Sequence, residues 1–228
     1  MSWQITKIAG EGKKINDPFK KIINLLLSAS IMGIFAWGCS SATLKISHEP
    51  FYKVVENKRE GNILVTQFVD KRTDTQHIGK FDAGGDSDFK AFITTEKGVR
   101  LEALLTSYFV ETLKEVGYNV VFRERYSNDV LNQNIYDAII YGEIEEFWLD
   151  ISLANGSSVQ HMKIRIKIKA IDPTAGQNVL WEKDFIKYMT EISREKPEKV
   201  IRVALTEILN QALKDFASEE FYKAIKKK

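Results

Sequence analysis

"VQHMKIRIKIKAID", residues 159–172, decides the fold. Met162, Ile164, Ile166 and Ile168 alternate with Lys163, Arg165, Lys167 and Lys169. A period of two gives one apolar and one charged face only in an extended strand. Asn155-Gly156, just before it, is a hairpin turn signal. The preceding run "YDAIIYGEIEEFWLDI", residues 136–151, therefore reads as its antiparallel partner. "DPTAGQ" (172–177) is a second turn, and "NVLWEKDFIKYMT" (178–190) a further strand. A sheet with one wet face needs cover on the other.

Two segments supply the cover. Leu101, Leu104, Leu105, Tyr108, Phe109, Leu113 and Val116 recur at spacings of three and four, the stripe of an amphipathic helix. Gly117 ends it as a left-handed cap ahead of the strand "YNVVF". A second helix starts near Pro197, a favoured first-turn residue. Val200, Ile201, Ala204, Leu205, Ile208, Leu209, Ala212, Leu213 and Phe216 line one side of it, and it runs out into the solvated "KAIKKK". Upstream, "NILVTQFVD" (62–70) is apolar on both faces, as a buried central strand is. Lys71 to Lys97 sustains neither period and reads as a long surface loop, a length that in compact domains usually carries function. The expectation is an α+β domain over 62–228, a mostly antiparallel sheet with two amphipathic helices packed on one face.

The chain before this domain is different in kind. Lys13, Lys14, Lys20 and Lys21 precede sixteen uncharged residues, Ile22 to Trp37, the charged and apolar regions of a secretory signal. A spanning helix wants about 20 apolar residues, so the run suits a signal better than an anchor. Ala36-Trp37-Gly38-Cys39 resembles a bacterial lipobox, in which the cysteine takes a diacylglyceryl group and becomes the new amino terminus. Chemically, the thiolate is the soft nucleophile for that transfer. Residues 1–38 are thus expected to be a signal peptide, and 39–61 a tether with an edge strand near Phe51–Val55. Ser40 and Ser41, with no Asp in second place, favour the outer membrane, periplasmic face, over the inner membrane by resemblance to enteric sorting rules.

Charge and composition exclude several classes. Five of 33 lysines and arginines and two of 31 acids precede Cys39, which leaves 28 against 29 and a neutral body. That balance argues against nucleic acid as a partner. One cysteine excludes an internal disulfide and a cysteine-cluster metal site. His48, His77 and His161 lie far apart, and Asp82, Asp86 and Asp88 miss the spacing of a calcium loop, so no metal is expected. No nucleophile elbow, phosphate-cradling loop or workable carboxylate pair is present, since adjacent Glu145 and Glu146 should face opposite sides of a strand. Hence no catalytic residue, cofactor or small-molecule substrate is expected. The candidate partner-binding residues are Asp70 and Arg72 at a strand-end turn and the stripe Lys163, Arg165, Lys167 and Lys169. Both have plainer readings: a turn held by its own aspartate and an arginine ion pair, and a stripe neutralised by Glu143 and Glu145 across the hairpin.

"VTQFVDKRTDTQHIG" (65–79), the helix ending "LKEVGYNVV" and the hairpin opening "YDAIIYGEIEEF" together resemble the YajG-like family of bacterial outer-membrane lipoproteins. The resembling positions are Asp70, Arg72, Ile78, Gly79, Gly117 and Gly142, within residues 62–215. The resemblance implies a lipid-anchored, non-enzymatic envelope protein of poorly defined role, with no catalytic residues to carry over; the expected partners are the membrane, through Cys39, and an envelope protein. The same element order occurs in auxiliary lipoproteins of ABC-type lipid or polysaccharide transport systems, which is the alternative role.

Overall fold

The computed structural model describes residues 41–49, 58–84, 90–124, 135–154, 157–174 and 178–226. The leader, Cys39, the strand expected at 51–55, Asp86, Asp88 and the Asn155-Gly156 turn lie outside them. Ser41–Lys228 forms one compact unit.

Among the described residues of this unit, nine strands make a single mixed sheet with three helices. Its spine is β7, Ala138–Ala154. On one edge β7 pairs antiparallel with β8, Ser157–Ile171, which pairs antiparallel with β9, Val179–Ser193. This is the meander that the 159–172 alternation requires. Along its other edge the spine meets three short parallel strands in sequence: β2 (Asn62–Thr66), β3 (Val69–Asp70) and β4 (Gly79–Asp82). The chain from 62 to 82 is therefore one interrupted strand laid beside β7. Outside β2 lies β6, Asn119–Arg123, and outside β4 lie β5 (Lys90–Thr95) and then β1 (Ser41–Leu44).

The helices α1 (Leu101–Val116), α2 (Pro197–Ala217) and α3 (Glu219–Lys226) share one apolar core with the sheet. Leu105, Phe109 and Leu113 of α1 and Leu205, Leu209 and Phe216 of α2 are fully buried in the same cluster as Ile140, Ile144, Phe147, Ile164 and Ile166. Phe109 makes ring contacts with Phe68, Phe185 and Phe216, edge contacts that add to the burial itself. Gly117 closes α1 at φ +113, its N–H bonded to Lys114 O at 2.9 Å. β2 is buried on both faces, as expected: Ile63 and Val65 join the main core, while Leu64 joins a smaller cluster with Tyr136 and Ile139 on the far face.

Four expectations need correction. The stretch from Lys71 to Lys97 is not all loop, because it contains β4 and β5, with Ile78, Ala91 and Ile93 buried. Its strands are short, and Gly and Asp between them mask the alternation. The last helix does not run on into the lysine tail. It breaks at Ser218, whose Oγ accepts the Phe221 N–H at 3.1 Å, and α3 then buries Phe221 and Ile225, making three helices rather than two. Part of the stretch read as a tether lies in the sheet as β1, with Leu44 and Ile46 buried and Tyr108 Oη donating to Ile46 O at 3.1 Å. Finally, Glu145 and Glu146 do not straddle the sheet. A β-bulge between Ile144 and Glu146 shifts the register, so Ile140 and Ile144 face the core before it and Phe147, Leu149 and Ile151 after it. Both carboxylates thereby emerge on the wet side.

Candidate functional site

The interrupted strand beside β7 leaves a gap. While β7 advances from Ile144 to Leu149, the chain opposite advances from Asp70 to Gly79. Lys71 N–H still donates to Ile144 O at 2.9 Å, and Leu149 N–H to Ile78 O at 2.8 Å. Between them the Phe147 carbonyl faces no strand, and Arg72 Nη1 donates to it at 3.1 Å. The same guanidinium donates from Nε and Nη2 to Asp70 Oδ1 and Oδ2 at 2.9 and 2.7 Å. It also bonds His77 O at 2.7 Å and Thr75 O at 3.4 Å. Guanidinium has five N–H donors, and all of them are consumed. The Arg72 side chain is 5% exposed and that of Asp70 11%. The pair is a clamp that replaces missing strand backbone, with every Arg72 donor used inside the fold.

On the wet face, three of the four cations of β8 meet acids from both neighbours. Arg165 Nε lies 2.8 Å from Glu145 and its Nη2 donates to Asp184 at 2.9 Å. Lys167 lies 3.6–3.9 Å from Glu145, Glu182 and Asp184. Lys169 is 3.9 Å from Glu143 and from Glu182. Half of this neutralisation comes from β9, where Glu182 and Asp184 alternate in step with the lysines. That signal stood in the sequence and escaped the hairpin argument. Asp184, then Glu145, holds the Lys167 ammonium above its ordinary range, and the hydrogen bond that Arg165 donates to Asp184 does the same for the guanidinium. Such groups are fixed charges, unsuited to proton transfer near neutrality.

Lys163 stands apart from the rest of the stripe. It forms no ion pair among the described residues and sits in register between Trp148 on β7 and Tyr188 on β9. Trp148 Nε1 donates to Asp150 at 2.9 Å and Tyr188 Oη to Glu146 at 2.6 Å, so both rings are pinned. That bond to Glu146 raises the Tyr188 pKa. Neither aromatic was singled out from sequence, although both alternate onto the wet face.

Two depressions flank these elements. One, of about 720 Å³, opens between Gln67–Asp70, the Thr75–Ile78 turn and the start of α1. Of its charged walls, Asp70 is paired with Arg72 and Arg100 with Gln67 and Glu102, while Glu124 forms no ion pair among the described residues. The other, of about 520 Å³, lies on the far side of the sheet, lined by Ile139, Tyr141, Lys169, Ile171 and Val179. Burial, then the nearby Glu143 carboxylate, raises the Tyr141 pKa.

The histidines are dispersed: His77 bonds Asp74 at 2.8 Å and stacks on Phe92, His161 bonds Thr190, and His48 lies edge-on to Tyr108. Burial works to raise the Asp74 carboxyl, but hydrogen bonds from His77 and Gln76 outweigh it and leave the pKa lowered. Asp82 accepts the Gly84 N–H as a turn aspartate. Among the described residues no group of three metal-ligating side chains converges, and no helix is long and apolar enough to cross a membrane.

No family model matches the chain, and no curated protein does. Among solved structures, protein XCC0632 from Xanthomonas campestris, of family DUF330, is similar at 12% identity over 81% of this chain and 95% of its own, with a TM-score of 0.49. A homologue of neuraminyllactose-binding hemagglutinin from Helicobacter pylori aligns at 11% identity over 78% and 97%, TM-score 0.46. Lipoprotein GNA1162 from Neisseria meningitidis aligns at 18% identity over 66% and 96%, TM-score 0.38. Likeness at this level assigns the chain neither a family nor a role.

Proposed function

We propose that the chain is a bacterial envelope lipoprotein, anchored by a lipid on Cys39 at the periplasmic face of the outer membrane and working as a non-enzymatic binding or scaffold module. One observation carries the reading. The compact unit begins at Ser41, immediately behind the lipobox-like Ala36–Cys39 and its apolar run in the sequence, which supports reading the cysteine as the border between leader and domain. Acyl chains contribute about 0.8 kcal/mol per buried CH₂, and two or more of them hold where one binds only reversibly. Cys39 then does the work of a membrane span.

Binding rather than catalysis is supported by how the charged groups are spent. Arg72 exhausts its donors inside the fold, and Arg165, Lys167 and Lys169 are matched by Glu143, Glu145, Glu182 and Asp184. The resemblance to YajG-like lipoproteins points the same way. A contact with an envelope protein would use the wet face where it lies furthest from Ser41, the groove at the start of β7 lined by Ile139, Ile171 and Val179.

The test is metabolic labelling with a fatty-acid probe and mass analysis of the mature chain. Wild type should carry the label and begin at Cys39, and Cys39→Ala should stay full length and unlabelled. Label persisting in that variant would refute the assignment.

A further inference from the structure

The sheet begins two residues after the cysteine, and this fixes which part of the domain a membrane can reach. The chain advances at most about 3.6 Å per residue, so the Cys39 Cα, the root of the lipid, is held within about 7 Å of the Ser41 Cα. The register places Ser41 on a row across six strands: Ser41, Phe92, Lys80, Asp150, His161 and Thr190. From Ser41 the strand runs toward Leu44 beside Thr95, away from the β7–β8 hairpin. The covalent leash therefore leaves the sheet at the hairpin end.

That end carries exposed apolar side chains. The next row on the same face is Lys90, Asp82, Ser152, Val159 and Ile192, and Leu153, one position further, lies on the opposite face at the strand's end. Ile192 is 73% exposed, Phe92 51% and Leu153 44%, each a large apolar side chain left in water. Lys90, Arg194 and Lys196 are exposed around them and form no ion pair among the described residues, while the nearby Glu195 is engaged by Lys199 at 3.2 Å. Exposed aliphatic and aromatic side chains rimmed by free cations are what a protein surface presents to the headgroup boundary of an anionic bilayer. Together, leash and patch name the occupant.

We infer that the hairpin end of the sheet, through Phe92, Leu153 and Ile192 with Lys90, Arg194 and Lys196, rests on the lipid surface that holds the anchor. The inference builds on the lipoprotein reading and adds an orientation: the domain stands on its hairpin end rather than swinging on a tether.

The experiment uses the full chain on vesicles of phosphatidylethanolamine and phosphatidylglycerol, in two preparations. One carries whatever lipid the cell attaches, established by mass. The other starts from unmodified protein, whose single cysteine is coupled to a maleimide-headgroup lipid in the vesicle. Hydroxyl-radical footprinting then compares Phe92, Leu153 and Ile192 with Phe122 and Val179, which are 46% and 49% exposed at the opposite end of the sheet. The expected result is a severalfold loss of labelling at the first three on vesicles relative to detergent, with the other two unchanged. Equal labelling at both ends overturns the inference. So does protection that persists in detergent and grows with protein concentration, which would mean a second copy covers the patch. A bare thiol on the cellular protein sinks the lipoprotein reading alone, because the coupled preparation still reports on the surface.

Discussion

Replacing Arg72 with Met tests whether a side chain is standing in for strand. The aliphatic stem survives, but the Asp70 carboxylate, 11% exposed, loses its countercharge, and the carbonyls of Thr75, His77 and Phe147 lose their donor. Breaking a buried ion pair from one side costs about 3–5 kcal/mol, because a charge is left uncompensated in a poorly solvated place. At about 2–4 °C per kcal/mol for a domain of this size, the midpoint of thermal unfolding should fall by roughly 6–20 °C. Urea unfolding followed by tryptophan fluorescence should show a lower midpoint at unchanged slope, the signature of lost stability rather than altered compactness. Arg72→Lys is the informative control: an ammonium keeps the charge but cannot span Asp70, His77 and Phe147 at once, so it should recover less than half of the loss. Adding Asp70→Asn to Arg72→Met should cost less than the sum of the two changes, because the orphaned charge is then gone. A loss below about 1 kcal/mol for the Met variant, or a Lys variant as stable as wild type, would refute the clamp.

Three further outcomes follow from the packing and the charges. Phe109→Ala removes a fully buried ring that touches Phe68, Phe185 and Phe216 and should cost about 3–5 kcal/mol in the same urea assay. Gly142→Ala would set a Cβ 2.5 Å from the Phe68 ring, so it should destabilise by about 1–3 kcal/mol, with part of that recovered in a Phe68→Leu background. Burial of the Asp215 carboxyl, only partly offset by Lys183 at 3.8 Å, raises its pKa above the ordinary 3.8. The folded state then binds that proton more tightly than the unfolded chain. Its contribution is full below pH 3.8 and is lost as pH rises through the folded value, and Asp215→Asn should remove this component from the stability profile between pH 3.8 and neutrality.

Legibility in the sequence followed length and regularity. The β8 alternation, the α1 and α2 stripes and Gly117 are long or strongly punctuated signals, and each produces the expected element. β1, β3 and β4 have four, two and four residues, too few to show a period, and they exist because β5 and β7 offer edges to pair with. That information is not local. The β7 bulge is an intermediate case. Core-facing residues change from Ile140 and Ile144 to Phe147, Leu149 and Ile151, a parity switch visible in "IIYGEIEEFWLDI" once an extra residue is allowed for. At Asp70 and Arg72 the turn chemistry was readable, but not the carbonyl on β7 that gives the arginine its purpose. Neutralisation of the basic stripe was half legible, because Glu182 and Asp184 come from a strand that the hairpin argument left out.

Orientation on the membrane separates the two roles open to an envelope lipoprotein. The groove lined by Ile139, Ile171 and Val179 lies near the start of β7, whereas Ser152 and Leu153 lie at its end. At about 3.3 Å per residue along the strand these levels are some 40 Å apart. A domain standing on its hairpin end therefore lifts the groove well clear of the bilayer. A lipid carrier needs its acyl-lined surface to meet the membrane, while a scaffold needs its contact surface held away from it. The short leash at Ser41 allows little tumbling between those poses, since residues 44–49 are themselves fastened by Tyr108 and Thr206. If the anchor and the orientation proposed above hold, they leave the groove at the start of β7 as the surface a scaffold would offer a partner. A photoactivatable group at Val179 should crosslink to envelope protein in intact cells and not to phospholipid, and phospholipid adducts at that position would reverse the preference.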